Sequence, residues 1–221
     1  LQRVDELGDK SALIDGTSGR VLSYNELSSQ IKHLAAGLNQ RGFKKGDVCA
    51  VFCPNLPEYA TIFLGVAAVG GINTTVNSLY STNDLIHQFT DSRAKFLITI
   101  PAFMDRALPA ADKCGIEEIF VLGEAEGATP FSELLKNDGI APEVTIDPKN
   151  DLVALPYSSG TTGLSKGVML THENLVSDMV LTTSINTITD KDVLIGVLPF
   201  FHIYGMVLIP VSYTHLTLPT T

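Results

Sequence analysis

A lysine set among glycines and hydroxyls marks the first stretch of this sequence with the means for chemistry: residues 158–167 read SSGTTGLSKG. Gly160, Gly163 and Gly167 permit positive φ and let a backbone approach a ligand closely. The hydroxyls of Ser158, Ser159, Thr161 and Thr162, the free N–H groups and the charge of Lys166 all donate, so the stretch as a whole attracts an anion. Phosphate oxygens suit that donor set. A ligand-free polar turn has no need of five hydroxyls, three glycines and a lysine in ten residues. The interval from Gly160 to Lys166 is that of the Walker loop, GxxxxGK[ST], yet Ser165 precedes the lysine and Gly167 follows it. The hydroxyl that holds Mg2+ in a Walker loop is therefore missing, and that reading fails. A second stretch, residues 198–206 (LPFFHIYGM), sets His202 and Tyr204 in an apolar run. On residue type alone both read as core residues sooner than as ligands.

An alternation of strands and helices must position these residues. Residues 24–41 (YNELSSQIKHLAAGLNQR) carry Leu27, Ile31, Leu34, Ala35 and Leu38 at steps of three and four, with Ser23 and Glu26 spaced as a capping box. Residues 48–53 (VCAVFC) form an uninterrupted apolar run, as in a strand buried on both faces. Helices are expected over 56–69, 81–92 and 102–114, with a short one over 131–137. Strands are expected over 71–76, 95–100 and 118–122. Residues 151–157 (DLVALPY) read as a further strand and 171–187 as a helix capped by Thr171, which makes the glycine-rich loop a strand-to-helix turn. The rhythm gives an α/β fold, mostly parallel strands covered by helices. His172 falls in the first turn of the last helix and reads as structural. His33 and His87 sit in amphipathic helices and receive no role.

Composition narrows the class. With 221 residues, 45% of them hydrophobic and 18% charged, the chain can bury a sizeable core. Its formal charge of −9 repels nucleic acid phosphates and anionic membranes, and no basic patch offsets it. The longest apolar stretch, residues 59–72, is too short to span a bilayer, which takes about 20 residues. Cys49, Cys53 and Cys114 show neither metal-site nor redox spacing, so they are expected as reduced thiols of an intracellular protein, and no metal site is expected.

The run LPYSSGTTGLSKGVMLTHENL, residues 155–175, resembles the phosphate loop of the adenylate-forming, or AMP-binding, superfamily, with the pattern [ST][ST]G[ST][ST]Gx[PS]KG. LPFFHIYGM is similar to the segment that lines the acyl pocket in the coumarate-ligase and luciferase-like branch, and FCPNLPEY (52–59) and GVAAVGGINTTVNSLYS (65–81) also resemble that branch. The resemblance implies the layered N-terminal domain of an acyl-CoA synthetase. It also implies a two-step reaction with ATP, Mg2+ and coenzyme A on a small carboxylic acid. Ser158, Ser159, Gly160, Thr161, Thr162, Gly163 and Lys166 would then contact the phosphates, with Lys166, Thr161 and Thr162 acting on the reacting group and the threonines near Mg2+. His202 and Tyr204 would stand by the acyl group and the adenylate. A luciferase-type monooxygenase shares the adenylation step, and a module that only binds nucleotide shares the loop. The location implied is cytoplasm or peroxisome.

The resemblance covers nearly everything from residue 11 to residue 209, and residues 1–210 are read as a partial N-terminal AMP-binding domain. Residues 211–221 (VSYTHLTLPTT) read as the translation of a sequencing-library adapter, a non-native tail. The family's later glutamate, aspartate and lysine are not found in this sequence, so the chain alone is expected to be a fragment that does not complete the reaction.

Overall fold

The computed structural model of this chain describes residues 4–158, 165–185 and 192–206. A short helix α1 (Val4–Leu7) and an antiparallel hairpin, β1 (Ser11–Ile14) with β2 (Val21–Ser23), precede the main body. The long helix α2 (Tyr24–Gln40) begins with the expected capping box: Ser23 accepts from the Glu26 amide, and the Glu26 carboxylate accepts from the Ser23 amide at 2.7 Å. Then come β3 (Val48–Phe52), α3 (Glu58–Ala68), β4 (Ile72–Thr75), α4 (Thr82–Ser92), β5 (Ala94–Thr99), α5 (Met104–Cys114), β6 (Glu118–Val121) and β7 (Thr129–Pro130). Ser81 caps α4 with Asp84 in a second capping box. Residues 131–135 form a 3-10 turn rather than an α-helix, and the expected helix from residue 102 starts as a 3-10 turn over 101–103.

Among the described residues the sheet runs β11-β8-β4-β3-β5-β6-β7, with β8 (Leu152–Ala154) and β11 (Leu170–Thr171) at one edge. Every pairing in it is parallel except that of β11 with β8. All five residues of β3 are buried, as its unbroken apolar run requires. Cys49 and Val51 pack with Leu34, Tyr59 and Ile62 of α2 and α3. Val48, Ala50 and Phe52 face the opposite way, into a cluster with Leu85, Phe89 and Ala107 of α4 and α5. Alternation along one strand thus covers both faces of the sheet. Burial pushes the Cys49 and Cys53 thiols far up, which suits inert core residues.

The expected strand over 151–157 is two strands. Pro156 has no N–H to give a ladder, and β8 stops at Ala154 before β9 (Tyr157–Ser158) begins. The glycine-rich loop does not turn straight into a helix, which corrects the sequence reading. Its far end is a strand, β10 (Lys166–Gly167), paired antiparallel with β9, and the chain then passes through β11 to α6 (His172–Ile185). Thr171 does cap α6, but its partner is Asn174: the Asn174 amide donates to Thr171 Oγ1 at 3.2 Å, and Thr171 N–H donates to Asn174 Oδ1 at 3.0 Å. A four-residue helix α7 (Ile203–Met206) ends the described part. No described helix is long and apolar enough to cross a membrane.

Candidate functional site

The helices after β3 and β4 pack on opposite faces of the sheet, α3 with one core and α4 with the other. The strand order reverses between β3 and β5, and open α/β sheets bind ligands outside the carboxyl ends of their strands. The connections after β3, β4 and β8 all emerge at this edge. They carry Asn55, the residues after Thr75 and the glycine-rich loop.

The loop is carried on a hairpin whose base pairs Ser158 with Lys166 and Tyr157 with Gly167. Cross-strand partners share a face, and successive residues alternate. One face of the ribbon therefore bears both Ser158 and Lys166, and both are exposed. The other face bears the Tyr157 ring, which is turned to α4: its hydroxyl donates to Asp91 Oδ2 at 2.5 Å, and its ring meets that of His87 edge-on at 6.4 Å. His87 Nε2 donates to the Ser165 carbonyl at 2.9 Å. Burial, then the bond to Asp91 and its charge, pushes the Tyr157 phenol well above its usual range, so it stays a donor. A Cβ on Gly167 would lie 3.1 Å from the Tyr157 ring, so glycine leaves the room in which that ring reaches α4. His87, given no role on its sequence, thus holds one end of the loop.

The entering strand is anchored as firmly. Leu155 N–H donates to the Asn73 carbonyl at 2.8 Å, and Thr74 Oγ1 donates to the Leu155 carbonyl at 3.0 Å. Asn73 Nδ2 donates to the carbonyls of Phe63 and Val153.

The second candidate stretch is fixed by Asn55. Its Nδ2 donates to the carbonyls of Gly196 and Leu198 at 3.0 and 2.8 Å, and its Oδ1 accepts from Phe200 N–H at 2.8 Å. Phe200 is buried with its ring edge-on to Tyr59, 5.6 Å between centroids, and Thr75 Oγ1 donates to the Phe201 carbonyl at 2.7 Å. His202 and Tyr204 follow, both exposed. His202 Nδ1 accepts from Tyr204 N–H at 3.3 Å, which leaves Nε2 to carry the proton of the neutral ring. Gly205 is buried, and a Cβ there would lie 2.2 Å from the Pro199 carbonyl oxygen.

Of the sequence candidates, Ser158, Lys166, His202 and Tyr204 are thus placed, the first two side by side at the hairpin base. Ser159, Gly160, Thr161, Thr162 and Gly163 lie outside the described residues. Among the described residues no group of three His, Cys, Asp or Glu comes together to hold a metal ion. His172 is half-buried with Nε2 unpartnered, and it lies by Asp151, which pairs with Lys45 at 2.6 Å. That setting fits its structural reading.

Sequence reasoning passed over Asn55, Thr75, His87, Asp91 and Tyr157 as parts of the site. Asn73, Thr74 and Thr75 did leave a signal: three polar residues in a strand that lies inside a dry sheet, all at or below 2% exposure.

Comparison with known proteins adds kinship to this geometry. A model of the AMP-binding enzyme family matches residues 2–216. The chain is 38% identical over 210 residues to 4-coumarate–CoA ligase 2 of Petroselinum crispum, covering 93% of this chain and 38% of that protein. It therefore spans well under half the length of that relative. Its fold is similar to a long-chain-fatty-acid-CoA ligase of Archaeoglobus fulgidus, with a TM-score of 0.87 and 26% identity, over 96% of this chain and 43% of that one. It is also similar to ATP-bound MatB of Rhodopseudomonas palustris, with a TM-score of 0.80 and 29% identity, over 96% of this chain and 42% of the other. The likeness read from four stretches of the sequence holds along nearly all of it, and the chain belongs to the AMP-binding enzyme family.

Proposed function

We propose that this chain is the phosphate-gripping part of an ATP-dependent acyl-CoA ligase. A carboxylate oxygen attacks the α-phosphorus of ATP, the bond to pyrophosphate breaks, and an acyl-adenylate forms. The thiolate of coenzyme A then attacks the acyl carbon, a C–S bond forms, and AMP leaves with the carboxyl oxygen. Such chemistry asks the protein mainly to position the reactants and to neutralise charge. The observation that carries the reading is the shared face of Ser158 and Lys166 at the neck of a glycine-rich hairpin, at the carboxyl edge of the sheet. Ser159, Gly160, Thr161, Thr162 and Gly163 would extend the same donor surface along the phosphates, and Lys166 would hold charge as it builds on the departing oxygens. Among the described residues no carboxylate cluster is placed to hold Mg2+.

His202, with Nε2–H as donor, and Tyr204 are assigned to the acyl side, and the likeness to 4-coumarate and fatty-acid ligases supports a small carboxylic acid as the substrate class. Residues 1–210 are taken as the partial AMP-binding domain and 211–221 as a non-native tail. Three free cysteines, two of them buried, suit a protein of the cytoplasm or peroxisome.

The test is ATP–pyrophosphate exchange by the full-length protein with 4-coumarate or a fatty acid, with and without the acid. Acid-dependent exchange followed by thioester formation with coenzyme A is expected. Nucleotide binding with no exchange for any acid would leave only a binding module, and light with oxygen and a luciferin would move the protein to the luciferase side.

A further inference from the structure

We propose that Thr75 is a positioning residue, which sets the His202 segment in register with the strand that enters the phosphate loop. Thr74 and Thr75 are 0% and 2% exposed, beside a strand, β3, that fills its buried places with Val48, Cys49, Ala50, Val51 and Phe52. A buried hydroxyl is tolerated only when bonded, and these two bond outward to different segments. Thr74 Oγ1 donates to the carbonyl of Leu155, three residues before Ser158. Thr75 Oγ1 donates to the carbonyl of Phe201, the residue before His202.

Gln88 of α4 joins the pair. Its Nε2 donates to Thr74 Oγ1 at 2.8 Å and to the Thr75 carbonyl at 3.1 Å, while its Oε1 is buried with no partner. An amide kept in the core with one end unsatisfied is held there by what its nitrogen does. The linked groups run from Leu155 O through Thr74, Gln88 and Thr75 to Phe201 O, so the two segments take their relative position from two adjacent residues of one strand. Asn55 fixes the stretch from Gly196 to Phe200 from β3's side, and Thr75 is the described bond at the next residue, next to His202 itself. That this register serves catalysis rests on the ligase reading; that it exists does not.

Thr75→Val keeps the shape and removes the hydroxyl, and Thr75→Ser restores it. In the full-length protein, hydrogen exchange should quicken by about tenfold in the peptide over 198–206 for T75V, as expected for one lost hydrogen bond. The peptides of α4 and β5 should be unchanged, and T75S should match the parent. Exchange unchanged over 198–206, exchange raised throughout the chain, or a T75S variant as loosened as T75V would each overturn the proposal. With 4-coumarate as the probe acid, T75V should raise the KM for the acid by about tenfold and leave that for ATP within about twofold. Equal effects on both would reduce Thr75 to a structural residue. A parent protein inactive with every acid would sink the ligase reading alone, and hydrogen exchange would still decide the register.

Discussion

Tyr157 and Gly167 stand opposite each other at the base of the hairpin, and the ring of the first occupies the space where the second would carry a side chain. That exchange of room fixes which way the ribbon faces. With the ring turned to Asp91 and His87 on α4, Ser158 and Lys166 are left on the open side. Ser158 and Lys166 thus take their facing from a contact on the ribbon's back.

Substitutions on that back face should therefore act on the nucleotide without touching it. Gly167→Ala places a Cβ 3.1 Å from the ring, which must shift by a few tenths of an ångström and lengthen its bond to Asp91. A loss of about 1 kcal/mol is expected in urea unfolding. Tyr157→Phe removes the same bond and should cost about 1 kcal/mol or less, since Asp91 is exposed and can turn to water. Both should weaken ATP binding several-fold in the full-length protein; unchanged affinity would show that the hairpin holds its orientation without α4.

Gly205→Ala should be the more damaging change in the second segment. A Cβ 2.2 Å from the Pro199 carbonyl oxygen cannot be accommodated by a side-chain rotation, so backbone must move where Asn55 holds Gly196, Leu198 and Phe200. A destabilisation of about 2 kcal/mol is expected in urea unfolding. An alanine variant as stable as the parent would contradict the close approach.

Much of this was legible in residue order. The uniform apolar run of β3, the capping box at Ser23 and the helical spacing of α2 follow from local rules, and the structure keeps them with ends moved by one residue. The hairpin was not legible, because strands of two residues have no period to read, and Gly167 was counted as a ligand glycine when its neighbour across the ribbon also requires it. Partners such as Asn55 with Phe200, 145 residues apart, lie beyond any local pattern. Polar residues in an apolar strand were the one available hint, and Thr74 and Thr75 carried it.

Stability should fall as the medium is acidified through the histidine range. Burial holds His172 below its ordinary pKa, with Asp151 opposing and Lys45 assisting, so the folded chain takes up this proton later than the unfolded one. From about pH 7.5 downward through about 6.5 the unfolded state binds more protons and gains. His172→Leu should flatten that part of the profile in urea titrations at several pH values. Below about pH 4.5 a second decline is expected as Asp84 and Glu26 lose their bonds to Ser81 and Ser23, because both carboxyls sit below their ordinary values when folded. A profile for His172→Leu that parallels the parent would remove His172 from the first decline.

The grip of the hairpin on ATP phosphates is tested most directly by ATP affinity in the full-length protein with Lys166 replaced by alanine. Lys166 is exposed and takes no part in the cores, so the variant should unfold at the same urea concentration as the parent. Its apparent affinity for ATP should fall by about tenfold or more, the scale of a lost charge-assisted bond of about 1.5–3 kcal/mol. Unchanged ATP affinity in a folded Lys166→Ala protein would contradict the account.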